Sequence, residues 1–263
     1  MPFLSRHKVS LYYRDTGEGA PPILLVHGWC CNHQFMSPLL EHFECQSRCI
    51  AVDLRGHGRS DKPVQKYSIG TYADDLAWIV QTLDLEAPVL IGHSMGGAIG
   101  FELAARHPEM LSALVLLDSA VPPSPTAWAN VHPALEGGGA RQPRMFTDFI
   151  ENTFFLPTDS AACKSWVTDA MTSTPYHVME STLRGAFEWH PTAPLGDDRC
   201  APPVLYIAAA RPRADLAALR DWCLHLETGQ VVGSGHFLQL LVPDQVNAMI
   251  TRFLDINLGT GRA

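Results

Sequence analysis

Gly92-His93-Ser94-Met95-Gly96 sets a hydroxyl between small residues, after the apolar run Val89-Leu90-Ile91 and before a stretch of helical periodicity from Met95 to Arg106. A strand–turn–helix junction of this kind holds the serine backbone in a strained conformation that the flanking glycines make sterically possible. The hydroxyl then stands at a helix N-terminus, where the dipole favours developing negative charge. A serine is a weak nucleophile until a base takes its proton. Of the 12 histidines, His236 follows a late strand through Gly233-Ser234-Gly235 and precedes the closing helix, so a loop can return it to Ser94. His33, His57, His93 and His107 are read as turn, packing or surface residues. The chemistry these residues could do is acyl transfer, with Ser94 as nucleophile and His236 as base.

Acyl transfer also needs donors for an oxyanion. The N–H of Met95, directly after the nucleophile, is one. The second is expected from the loop after Ile23-Leu24-Leu25-Val26, where His27-Gly28-Trp29 sits and the glycine lets the backbone approach. The Trp29 N–H takes that role, and its indole either walls the pocket or packs in the core.

Short apolar strands alternating with longer amphipathic stretches must position these groups. Strands are expected at Val9–Tyr13, Ile23–Val26, Cys49–Val52, Val89–Ile91, Leu114–Leu117, Val204–Ile207 and Gln230–Val232. Helices are expected at Ile69–Leu83, Met95–Arg106, Ala214–Leu226 and Pro243–Leu254. This repetition predicts an α/β fold, a doubly wound, mostly parallel sheet with helices on both faces. Between Val121 and Ala201 the alternation stops, and helical segments appear around Met145–Phe155, Ala161–Met171 and Tyr176–Phe187. Residues 122–200 are therefore read as a helical cap inserted into a core of residues 1–121 and 201–263. The cap holds Trp128, Phe146, Phe149, Phe154, Phe155, Trp166, Phe187 and Trp189 and the flexible Gly137-Gly138-Gly139. From these aromatics, Phe146, Phe149, Phe155 and Trp166 join Trp29 as candidate substrate contacts.

His27-Gly28, the run Asp53-Leu54-Arg55-Gly56-His57-Gly58-Arg59-Ser60, Gly92-His93-Ser94-Met95-Gly96-Gly97 and Gly235-His236 resemble the motif set of the α/β-hydrolase family. The resemblance covers nearly the whole core and implies a capped serine hydrolase without metal or organic cofactor. It also implies that Asp53 to Ser60 shapes a turn near the site. Family members usually carry the triad acid just after the strand corresponding to Val204–Ile207, and that position falls here on Pro212, which cannot do the job. Asp215 comes three residues late, where it can instead cap the next helix. The fold's other location for the acid, at the end of the preceding core strand, holds Asp118. Asp118 is the preferred acid, with Asp215 as the alternative.

The acid after the earlier strand, together with Gly28-Trp29-Cys30, also resembles the cofactor-independent dioxygenases of this fold that act on 3-hydroxy-4-quinolones. Cys31 and Met95 depart from their pattern, which has histidine at both places. In that mechanism a His236–Asp118 pair would deprotonate the substrate, and serine would form no covalent intermediate. A ligand receptor on a hydrolase scaffold is the third possibility. A carboxylate nucleophile, which haloalkane dehalogenation needs, is missing at position 94.

A formal charge of -8 with scattered basic residues argues against nucleic acid as a partner. No apolar run reaches the roughly 18 residues of a membrane span, and the N-terminus lacks the apolar stretch of a leader. Seven cysteines without a framework spacing, and without CxxC, exclude a zinc knuckle and fit reduced thiols in the cytoplasm. The expected partner is a small, largely apolar molecule, and the oligomeric state is not encoded in any pattern found.

Overall fold

The computed structural model describes residues 2–127, 129, 143–189 and 200–260. Trp128 and the glycine run at 137–139 lie outside the described residues. Eight strands, β1 (Phe3–Arg6), β2 (Val9–Thr16), β3 (Ile23–Val26), β4 (Cys49–Val52), β5 (Val89–His93), β6 (Ala113–Leu117), β7 (Val204–Ala208) and β8 (Leu226–Gln230), form one sheet in the order β1-β2-β4-β3-β5-β6-β7-β8. From β4 to β8 every pairing is parallel, and β1 and β2 add the antiparallel edge.

The continuous apolar runs are explained by burial on both faces. In β3, Leu24 and Val26 face one layer, with α2 (Ile69–Thr82) and α3 (Met95–Arg106), while Ile23 and Leu25 face the other. That second layer holds α1 (Ser37–Phe43) and the C-terminal helix, Pro243–Leu258. Period-2 alternation between two apolar layers demands apolar residues at every position, which removes the hydrophobic–polar rhythm of a half-exposed strand.

Three helices lie between β6 and β7 among the described residues: α4 (Pro143–Phe154), α5 (Ala161–Thr172) and α6 (Tyr176–Phe187). Helix α6 docks on the core through Gly185, where any Cβ would collide with the Tyr67 carbonyl oxygen. Hydrogen bonds from Tyr67 N to Ser181 Oγ (3.1 Å) and between Tyr72 Oη and Thr182 Oγ1 (3.0 Å) fix the same face.

Several expectations need correction. Strand β1 and helix α1 were not expected, and β8 lies at Leu226–Gln230 rather than Gln230–Val232. The preceding helix, α7 (Leu216–Trp222), accordingly stops short of Leu226. Both β1 and β8 are sheet edges with no fully buried side chain, so main-chain pairing holds them rather than apolar patterning. The last helix continues past Leu254 to Leu258 and ends on Gly259 in the left-handed region (φ 68°).

Candidate active site

The turn between β5 and α3 holds Ser94 at φ 54° and ψ -118°, a conformation L-residues rarely adopt. The fold enforces it. The Ser94 N–H donates to the Leu117 carbonyl of β6 (2.9 Å), and the Gly97 N–H returns to the Ser94 carbonyl (3.0 Å). A Cβ at Gly92 would strike the Gly96 carbonyl, and one at Gly96 would strike the carbonyls of Val26 and His27. Glycine is required there because α3 starts in backbone contact with two strands. Gly96→Ala is expected to destabilise the fold by about 1–3 kcal/mol through overpacking, checked by urea unfolding; an unchanged midpoint would contradict the contact.

The loop after β3 approaches the same point. A Cβ on Gly28 would lie 3.1 Å from both Ser94 Cβ and His93 Nδ1. Cys30 turns the chain with φ 56°, and the Cys31 N–H closes the turn on the Gly28 carbonyl (3.2 Å). Among the described residues neither the Trp29 nor the Met95 N–H has a protein acceptor. Buried His27 braces this loop: its Nε2 accepts the Leu54 N–H (3.0 Å), so Nδ1 carries the proton and donates to the Gly28 carbonyl (2.8 Å).

The segment from Asp53 to Ser60 is a turn built around one carboxylate. Asp53 accepts the N–H groups of His33 (2.6 Å) and Arg59 (2.7 Å) and lies 2.8 Å from His33 Nδ1. Arg55 makes a bidentate pair with Asp75 (2.8 Å at both contacts), and Arg6 joins the same carboxylate at 2.9 Å.

His236 Nδ1 lies 2.7 Å from Asp118 Oδ2. Asp118 follows β6 with φ 44°, and its Oδ1 accepts the Ala209 N–H (3.2 Å). The His236 main chain is pinned by its N–H to the Phe154 carbonyl (2.7 Å) and by its carbonyl to His93 Nε2 (2.9 Å). Phe154 stacks on the imidazole at 4.8 Å. Ser94 and His236 line one narrow pocket with Gly28, Trp29 and His93. Asp215 is elsewhere engaged, as the N-cap of α7, accepting from the Ala217 (3.0 Å) and Ala218 (3.1 Å) N–H groups.

A larger cavity opens above Ser94, with an empty volume of about 820 Å³ including its mouth. Trp29, Phe149, Phe154, Phe187 and Trp189 line it with Met95 and Leu183. Trp29 is held by its indole N–H on the Met179 carbonyl (2.9 Å). Three expected substrate contacts sit differently. Phe146 is buried behind the cavity against Trp29 (5.8 Å) and Tyr176. Phe155 packs on Phe237 (5.6 Å) and lines a smaller polar cavity beside Asp118. Trp166 is 41% exposed, packs on Phe35 (4.6 Å) and does not line the cavity.

Arg213, which carried no role in the sequence, enters the site. Its Nε is 3.1 Å from His236 Nδ1 and 3.5 Å from Asp118 Oδ2. The available signal was a cation beside Pro212, in the turn where an acid was expected.

Burial dominates the electrostatics. It pushes the imidazole of His27 down to about 4 and that of His57 to about 3, and drives His93 and His236 well below the ordinary range, with Arg213 adding to the effect at His236. Burial raises the Asp118 carboxyl to about 6 against the opposing pull of Arg213. On unfolding, the four imidazoles take up protons as pH falls through about 6.5, while the folded chain keeps them neutral. Their contribution to stability is therefore present above about 6.5 and lost as pH falls. Asp118 acts oppositely between about 4 and 6, where the folded state binds its proton first. Stability should therefore fall as pH drops from about 6.5 towards 5, the buried imidazoles outnumbering the one opposing carboxyl. Urea titrations at pH 7.5, 6.0 and 5.0 check this, and a flat profile would contradict it.

Residues 21–168 match the family described as alpha/beta hydrolase fold, and the chain belongs to that family. The chain is 41% identical over 116 residues to an AB hydrolase superfamily protein of Bacillus subtilis, covering 43% of this chain and 43% of that protein. It is 37% identical over 120 residues to the 2-(acetamidomethylene)succinate hydrolase of Mesorhizobium japonicum, covering 44% of this chain and 43% of the relative. The chain thus spans less than half the length of these curated relatives. Among solved structures, a thermophilic esterase from Thermogutta terrifontis superposes with a TM-score of 0.83 at 23% identity, covering 96% of both chains. The enol-lactonase of Burkholderia xenovorans gives 0.82 at 21%, covering 96% of this chain and 99% of its own. At these identities the superpositions establish the shared fold. Among the described residues no helix is long and apolar enough to cross a membrane.

Proposed function

We propose that the chain is a serine hydrolase that cleaves an ester or lactone of a small to medium, largely apolar substrate through an acyl-enzyme on Ser94. The observation that carries this is a strained serine at the floor of an apolar cavity, beside an imidazole whose Nδ1 is 2.7 Å from a buried carboxylate. Ser94 Oγ attacks the carbonyl carbon while His236 Nε2 takes its proton. Asp118 holds the proton on Nδ1 and stabilises the imidazolium. The Trp29 and Met95 N–H groups receive the oxyanion, and two free donors near the serine support that assignment. Collapse expels the alcohol, protonated by His236, and water then enters by the reverse roles to release the acid. Residues 122–200 act as the cap that shapes the cavity. Relatives named as a hydrolase, an esterase and a lactonase support this class of reaction. The seven cysteines, all free, support a reducing compartment such as the cytoplasm.

The test is hydrolysis of 4-nitrophenyl esters from acetate to decanoate, run beside an oxygen electrode with a 3-hydroxy-4-quinolone. Turnover of short or medium esters without oxygen uptake is expected. Oxygen uptake without ester cleavage would replace the hydrolase with the dioxygenase, and tight retention of a ligand after one slow turnover would indicate a receptor.

A further inference from the structure

The geometry points to Arg213 as a carboxylate receptor: the substrate carries one carboxylate, which docks on this guanidinium and draws it off the His236–Asp118 pair. This rests on the hydrolase reading above and adds the chemical class of the substrate.

Arg213 and Phe154 line both the main cavity and the small polar cavity beside Asp118. Among the described residues around the main cavity, Arg213 is the only charged side chain. Its Nη2 donates to the Thr153 carbonyl (3.0 Å), and its Cζ lies 4.9 Å from the Phe154 ring centre. Its Nη1 has no acceptor among the described residues. A guanidinium with an open donor, facing an otherwise apolar cavity, is a fixed site for an anionic group.

Proton positions show why such a group matters. His236 can serve as a base through Nε2 only when Nδ1 carries the proton and donates it to Asp118. Arg213 Nε–H, 3.1 Å from the same Nδ1, then faces an N–H rather than an acceptor, and Asp118 Oδ2 at 3.5 Å is beyond a good hydrogen bond. If Nδ1 instead accepts from Arg213, the imidazole proton moves to Nε2 and the base is lost. In either state the cation opposes an imidazolium in the transition state. The other polar groups facing this cluster do not relieve it. His93 is neutral and donates to the His236 carbonyl, Asp159 accepts the Gly235 N–H (3.2 Å), and Tyr206 Oη accepts the Arg213 and Ala214 N–H groups. A substrate carboxylate on Nη1 would supply the missing acceptor and leave Nδ1 to Asp118. One cation suits one negative charge; a doubly charged phosphate would add an excess beside the Asp118 carboxylate.

The experiment compares mono-4-nitrophenyl esters of succinate, glutarate and adipate with the butyrate, pentanoate and hexanoate esters, in which a methyl replaces the carboxylate. Wild type, Arg213→Met and Arg213→Lys are assayed, with Ser94→Ala subtracting background. Wild type should prefer the carboxylate ester in kcat/KM at one chain length or more. Arg213→Met should lose about 30-fold on that ester, yet cleave its neutral counterpart faster, with the acid limb of the pH profile moved upward. Arg213→Lys, which keeps the charge without the fork, should retain part of the preference and serves if the Met variant does not fold. Equal losses on both ester types, or preference for the neutral ester at every length in the wild type, would overturn the inference while leaving the hydrolase standing. Absence of any Ser94-dependent hydrolysis would overturn the hydrolase reading and this inference together.

Discussion

Ser94→Ala should lower kcat by about 10⁵–10⁶-fold, since losing the nucleophile of a triad removes nearly everything the triad contributes. The residual rate would come from the oxyanion donors and the cavity, which the substitution leaves in place. Ser94→Gly should be equally inactive but more stable than Ser94→Ala. The backbone at φ 54° and ψ -118° penalises any Cβ, a strain of order 1–3 kcal/mol that glycine escapes, less about 0.5–1 kcal/mol for its greater freedom when unfolded. Steady-state kinetics and urea midpoints of the two variants test both halves. Retained turnover in either variant would remove Ser94 from the chemistry.

Asp118→Asn is expected to cost about 10³–10⁴ in kcat. An amide presenting its NH₂ to His236 makes Nδ1 an acceptor and moves the imidazole proton to Nε2, where the base must be free. Asparagine tolerates the positive φ of 44° at this position, so the backbone is preserved. Arg213 then loses the one carboxylate it pairs with among the described residues, and an unpaired buried cation is costly, by about 3–5 kcal/mol. Asp215→Asn should change kcat less than two-fold, because asparagine caps a helix about as well as aspartate. The ranking of these two variants decides the acid, and a larger loss at Asp215 would show it misplaced.

The local parts of the site were legible in the residues. Ser94 and the glycines around it form a local motif, and the structure has that turn, held in place by the Leu117 carbonyl of β6 and packed against the Val26 and His27 carbonyls. The place of His236 between a late strand and the closing helix singles it out among the histidines, and the structure sets it 2.7 Å from Asp118. Asp118 needed a second clue, the proline at 212, because an aspartate at a strand end has many uses. What escaped was set by packing. Aromatic residues surround the cap helices, so periodicity could not tell that Phe149 and Phe154 face Ser94 while Trp166 faces Phe35. The edges β1 and β8 carry polar and exposed residues and are held by the strand beside them. Arg213 carries no signal of a role in the sequence, and only the fold brings it onto His236.

The central claim is a covalent acyl-enzyme on Ser94, and an activated phosphonate ester such as a 4-nitrophenyl alkylphosphonate tests it most directly. The phosphorus is attacked as the carbonyl would be, nitrophenolate leaves, and the stable adduct holds the geometry of the tetrahedral intermediate. Intact mass should show one phosphonyl group per chain, peptide mapping should locate it on Ser94, and His236→Ala should slow its formation. Hydrolytic activity that survives phosphonate treatment, or an adduct on any residue other than Ser94, would contradict the account.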